Sequence, residues 1–105
     1  MKPFDIFIFS LSCGDRDKNR PVLIYALNDK IVKIYPITTQ YENKSRAIKA
    51  KYFKINDWLQ AGLNKQSYID TGTRLKQPLP MVNSIAPIGA LTEYDKQRLI
   101  EFIRK

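Results

Sequence analysis

The sequence predicts a mainly β fold of the α+β kind, a small barrel or strongly bent sheet with helices at its margin. Three observations predict it. Short apolar runs rich in β-branched and aromatic residues alternate with polar, turn-forming stretches through the first half of the chain. The connections between these runs are short, which favours antiparallel pairing. The clearest helical periodicity comes only at the C-terminal end.

Residues 4–11 are β-branched or aromatic on both faces and read as a first, buried strand. Ser12 to Arg20 is polar and holds Gly14, Asp15, Asp17 and Asn19, which predicts an exposed loop. Pro21 then opens a second apolar run, Val22 to Leu27. Asn28, Asp29 and Lys30 make a short turn into a third strand, Ile31 to Ile37. Ala47 to Ile55 alternates with a break at Tyr52 and Phe53, a fourth strand with a bulge.

Asn56 is placed to cap a short helix from Asp57 to Ala61 whose apolar members face the core, and Gly62 is placed to end it. Tyr68 to Asp70 and Arg74 to Lys76 are short strands around Thr71, Gly72 and Thr73, with Pro78 and Pro80 ending regularity. Thr92 caps the terminal helix, Glu93 and Asp95 suit its first turn, and Arg104 and Lys105 suit its last. Leu99, Phe102 and Ile103 fall at i, i+3 and i+4, one stripe that must pack on something. With 105 residues and no linker or repeat, residues 1–105 are expected to form a single domain.

The formal charge is +8, from 18 Lys and Arg against 10 Asp and Glu, which favours a polyanionic or acidic partner. Cys13 is the only cysteine, so neither an internal disulfide nor a multi-cysteine metal site can form, as suits a reducing cytosol. The apolar stretch from Ile6 to Leu11 reads as a strand, not a signal peptide, since Asp5 interrupts its start. No apolar run approaches the roughly 20 residues that span a bilayer. The chain has no histidine, which removes the commonest general base and the commonest metal ligand together. No cofactor is expected, and Asp15 with Asp17 is a weak metal pair.

Chemistry concentrates in three places. Arg20 stands where the polar loop enters an apolar strand, and a guanidinium offers planar, multiple donors that match phosphate oxygens; the alternative is a strand-edge charge that keeps the loop in water. Thr38, Thr39 and Gln40 end the third strand, a rigid place for hydroxyl and amide donors, or else a plain polar turn. Lys44, Arg46, Lys49, Lys51 and Lys54 follow with no acid among them and with Tyr41, Tyr52 and Phe53 interleaved. Cations with aromatic faces suit a single-stranded nucleic acid, and they equally suit a solvated strand face.

Three motifs carry a resemblance to the MazF/PemK toxins of bacterial type II toxin-antitoxin systems, and it runs over nearly the whole chain. They are Arg20-Pro21-Val22-Leu23-Ile24, then Pro36-Ile37-Thr38-Thr39-Gln40, then a tail with Gly62-Leu63-Asn64-Lys65-Gln66-Ser67-Tyr68-Ile69 and Ile88-Gly89-Ala90-Leu91-Thr92. The resemblance implies an SH3-like, PemK-type barrel of five to seven strands with a short helix and a C-terminal helix. It implies a homodimer in the cytoplasm, neutralised by an acidic antitoxin. It also implies an endoribonuclease that cuts single-stranded messenger RNA without metal, through the 2′-hydroxyl, leaving a 2′,3′-cyclic phosphate and a 5′-hydroxyl.

By motif matching, Arg20 and Thr38 take the family's catalytic roles, with Asp15 and Thr39 as further candidates. Arg16, Lys18, Gln40, Lys44, Arg46, Lys49, Lys51 and Arg74 are the expected RNA contacts, and Asp70 and Arg74 are candidates for acidic and basic positions that some members carry there. The resemblance also implies an alternative, a protein-binding toxin of the gyrase-poison type that shares the barrel, while charge and aromatics alone would suit a single-stranded RNA-binding module without catalysis.

Overall fold

A computed structural model describes residues 2–13, 16–78 and 87–104, of which 9–13, 16–19 and 78 are described by backbone alone. Gly14, Asp15, Pro80 and Lys105 lie outside the described residues. The elements are β1 (Asp5–Cys13), β2 (Arg16–Leu27), β3 (Ile31–Thr38), the helical turn α1 (Arg46–Lys49), β4 (Tyr52–Lys54), β5 (Tyr68–Asp70), β6 (Leu75–Pro78), β7 (Gly89–Ala90) and α2 (Glu93–Arg104). The seven strands pair antiparallel in one curled sheet, in the order β4-β5-β3-β2-β1-β7, with β6 beside β3 off that path. The expected mainly β barrel-like fold with a C-terminal helix is thus present.

β3 is the branch point. One edge pairs with β2 from Leu27↔Val32 to Val22↔Pro36. The other edge is divided: Ile31 to Ile34 pair with β6, and Ile37 and Thr38 pair with β5. Tyr35 and Pro36 stand at the hand-over, and a proline has no N–H that would need a partner there. β2 carries a bulge between Ile24 and Ala26, the kind of irregularity that sharpens a sheet's twist.

Core side chains occupy both faces of the first strands, as their unbroken apolar runs predict. Ile6, Leu23, Tyr35 and Ile37 join Phe53, Ile55, Ile69 and Leu99 in one cluster, while Phe7, Val22, Ile24, Val32 and Ile34 form another. Leu99 of the predicted helical stripe is fully buried and Phe102 packs edge-on to Phe53 at 5.5 Å, but Ile103 stays exposed. No helix among the described residues is long and apolar enough to cross a membrane.

Several local expectations differ from the structure, among them the strand expected at Arg74 to Lys76, which is β6 and runs on through Pro78. Within the polar 12–20 segment, the described residues 12–13 and 16–20 continue the β1–β2 ladder, with pairs out to Cys13↔Arg16, because backbone hydrogen bonds extend a two-stranded ribbon whatever the side chains. The predicted fourth strand is shorter. Its first half is the helical turn α1, capped by Ser45, whose hydroxyl accepts the Ile48 N–H at 3.3 Å, and only Tyr52 to Lys54 are strand. The predicted helix at 57–61 is a single turn; Ala61 and Trp58 pack inward while Leu59 is exposed.

That turn closes as the glycine foretold. Leu63 N–H reaches the Trp58 carbonyl and Gly62 N–H the Leu59 carbonyl, with Gly62 at φ +96°. Gly89 meets it closely: a Cβ on Gly62 would strike the Ile88 carbonyl, and one on Gly89 the Ala61 carbonyl. At its other end the turn is not capped by Asn56. Asp95, fully buried on α2, accepts the N–H groups of Asn56 at 3.1 Å and Asp57 at 2.6 Å and pairs with Arg98 at 2.6 Å. Thr92 caps α2 by accepting the Asp95 N–H and donates to Asp57.

Removing the Asp95 carboxylate leaves two backbone donors without their acceptor and Arg98 with the Lys54 carbonyl in place of its ion pair. Asp95→Ala is therefore expected to lower the unfolding free energy by about 2–4 kcal/mol, against less than about 0.5 kcal/mol for Leu59→Ala, whose side chain is 67% exposed. Urea denaturation of both variants checks this, and equal losses would contradict the anchoring role of Asp95.

Candidate active site

Strand register assembles the site. Val22 lies opposite Pro36, and two residues further along both strands, in step, stand Arg20 and Thr38. By the period of two they share a face. Both line a cleft of about 400 Å³ together with Pro21, Ile37, Thr39, Gln40 and Ser67. Both also line an adjoining cleft of about 450 Å³ with Pro36, Gln40, Lys44, Tyr52, Asp70, Thr73, Leu75 and Gln77. Arg20, which the sequence places at a loop–strand junction, instead lies within β2, paired with Phe9. Its backbone is held on a strand, and its side chain is exposed.

The second wall comes from the other edge of β3. Thr38 pairs with Tyr68 and Tyr68 with Lys54, one row across three strands. Asp70 pairs with Tyr52 in the next row on the same face. Between the rows, Phe53 and Ile69 point the other way into the core.

Each polar group has a defined local setting. The Thr38 hydroxyl accepts the Gln40 N–H at 3.0 Å, which fixes its oxygen and leaves its own proton for another acceptor. The Asp70 carboxylate accepts from the Gly72 N–H at 3.0 Å and from the Thr73 hydroxyl at 2.7 Å, one bond to each oxygen. Tyr41 stacks on Tyr68 at 4.3 Å and tilts against Tyr52 at 6.3 Å, so the Tyr52 ring is braced on one side. Burial pushes the Tyr52 phenol above its ordinary 10, and the Asp70 charge adds to the shift. Tyr68 is raised as well, by burial first and then by Glu42 and Tyr41.

Of the residues singled out in the sequence, Arg20, Thr38, Thr39, Gln40, Lys44 and Asp70 converge on these clefts. Others do not. Lys49 lies over the Tyr41 ring at 4.9 Å and 3.9 Å from Glu42, and Arg46 is exposed on α1. Lys51 and Arg74 line a separate pocket of about 260 Å³ with Tyr35, Thr71 and Phe102. There burial raises the Tyr35 phenol and Arg74 pulls it back. Asp15 lies outside the described residues, and Arg16 and Lys18 are described by backbone only.

Thr73 and Gln77 line the second cleft without any sequence signal for a site, and Ser67, quoted only within the tail motif, lines the first. Tyr52 was visible as one aromatic among several, and only its pairing with Asp70 brings it to the wall. The chain matches no protein-family model and no curated protein sequence, so its reading rests on this geometry and on the motifs themselves.

Proposed function

We propose that the chain is a metal-independent endoribonuclease, the toxin of a type II toxin-antitoxin pair resembling MazF and PemK, acting on single-stranded messenger RNA in the cytoplasm. One observation carries the reading. Arg20 and Thr38, from separate motifs and separate strands, line one cleft with a carboxylate, Asp70.

These groups suit transesterification. The phosphodiester lies between Arg20 and Thr38, whose N–H and O–H donors meet the non-bridging oxygens as negative charge builds on the phosphorane. A guanidinium holds its proton too tightly to serve as a base. Asp70 has acceptor capacity left on both oxygens and takes the proton of the 2′-hydroxyl. The 2′-oxygen attacks, and the products carry a 2′,3′-cyclic phosphate and a 5′-hydroxyl. Lys44 at the cleft wall meets a backbone phosphate as a point charge. A homodimer and an acidic antitoxin complete the reading, the latter drawn by the +8 charge.

Cleavage of a long single-stranded RNA is expected to persist in EDTA. Arg20→Ala should lower the rate by about 100–1,000-fold, the usual cost of one donor to a transition-state oxyanion. Thr38→Ala should cost less than that, and Thr39→Ala least, since Thr39 lines only the first cleft. Full activity in Arg20→Ala, or loss in EDTA restored by magnesium, would overturn the mechanism.

Lys44→Ala should raise the RNA concentration required and reduce the salt slope of binding by about 1 while leaving the turnover rate near wild type. A collapse of turnover at saturating RNA would contradict a purely electrostatic role.

An acidic peptide from the cognate antitoxin should compete with RNA for the cleft. Equal affinity for free protein and for protein saturated with a 2′-deoxy substrate analogue would exclude this mode of neutralisation.

A further inference from the structure

Transesterification needs a proton acceptor for the 2′-oxygen and a proton donor for the departing 5′-oxygen, and the proposed function supplies only the first. Resting on that reading, we propose that Tyr52 is the general acid that protonates the 5′-oxygen leaving group.

The placement comes from the sheet. Tyr52 is the cross-strand partner of Asp70, and both line the cleft that holds Arg20 and Thr38. Two strand spacings, on the order of 10 Å, separate the Tyr52 backbone from that of β3. The Arg20 guanidinium on β2 is rooted one strand further out, three spacings or about 14 Å from Tyr52, and lines the same cleft as the phenol with the short Asp70 and Thr38 side chains on the strands between. A short acid and a long phenol rooted side by side give a proton acceptor and a proton donor of different reach.

The other lining groups fit the task less well. Gln40, Gln77 and Thr73 offer amides and an alcohol hydroxyl, which are far weaker acids than a phenol. A guanidinium such as that of Arg20 is a poor proton donor. Lys44 stands on the segment between β3 and α1 at the end of a flexible stem, which places its ammonium less firmly. Tyr52 stands on a strand with its ring against Tyr41 at 6.3 Å. Burial and the neighbouring carboxylate keep its proton in place across the neutral range, and a phenol remains a far stronger acid than a ribose hydroxyl.

The step balances. The 2′-hydroxyl proton passes to Asp70, the O2′–P bond forms, the P–O5′ bond breaks, and the Tyr52 proton goes to O5′. Asp70 is left protonated beside the Tyr52 phenolate. The phenolate is the stronger base, so the proton returns across the strand pair and both groups are restored.

The test compares wild type, Tyr52→Phe and Lys44→Ala on one RNA oligomer containing a linkage that wild type cuts, and on the same oligomer with sulfur replacing the 5′-bridging oxygen there. A thiolate departs without a proton. Tyr52→Phe keeps the ring and its packing, and should cut the natural linkage about 100–10,000-fold more slowly while cutting the sulfur linkage within a few-fold of wild type. Wild-type rates on the natural linkage, equal losses on both linkages, or sulfur rescue confined to Lys44→Ala would each overturn the proposal. Failure of wild type to cut any RNA would instead sink the ribonuclease reading itself, and this proposal with it.

Discussion

The structure depends on one strand serving three partners. β3 gives one edge to β2 and splits the other between β6 and β5, and every wall of the candidate site hangs from that division. Arg20 arrives through the β2 register and Asp70 through β5. Tyr52 comes through β4 by way of β5, and Leu75 and Gln77 through β6. A slip of one residue in the β2–β3 pairing would turn Arg20 to the opposite face. The slip is opposed by Leu23, Ile24, Val32 and Ile34, each without solvent exposure, since their burial fixes which residue faces which side. Core packing thus sets the geometry of the cleft, and Ile37 belongs to both.

The second dependency is polar and buried. α2 is held to the 56–62 turn by the Asp95 carboxylate and the Thr92 hydroxyl. Arg98 extends this network, donating to the Lys54 carbonyl at 3.3 Å and lying over the Phe53 ring at 4.9 Å. The helix therefore reaches β4, whose outer face carries Tyr52. Among the described residues no buried side-chain polar atom lacks a partner, as expected where an unpaired group would cost more than a paired one contributes.

Most of the fold was legible because its signals are local. The turn at Asn28 is a side-chain-driven one, with the Asn28 carboxamide accepting from Lys30 and Ile31. Gly62 ends its turn at a positive φ, and Thr92 caps α2. The misreadings came where a local signal competed with pairing. Asp17 and Asn19 are turn formers by type, yet Ser12↔Asp17 and Ser10↔Asn19 continue a ladder. Ser45 capped a helical turn where alternation suggested a strand. Arg20, Thr38 and Gln40 stood out in the sequence by their places at the ends of apolar runs and by motif order. Tyr52, Thr73 and Gln77 did not, because residues on different short strands meet only through a register that no single segment encodes.

The central claim is that the cleft cuts RNA by internal attack of the 2′-oxygen, with the protein's own donors and carboxylate doing the chemistry. Mass spectrometry of the fragments that wild-type protein releases from a single-stranded RNA in EDTA tests it most directly. The account predicts 2′,3′-cyclic phosphate on one fragment and 5′-hydroxyl on the next, with no scission at a linkage carrying a 2′-deoxyribose. Fragments ending in 3′-hydroxyl and 5′-phosphate, or scission at the deoxy linkage, would contradict it.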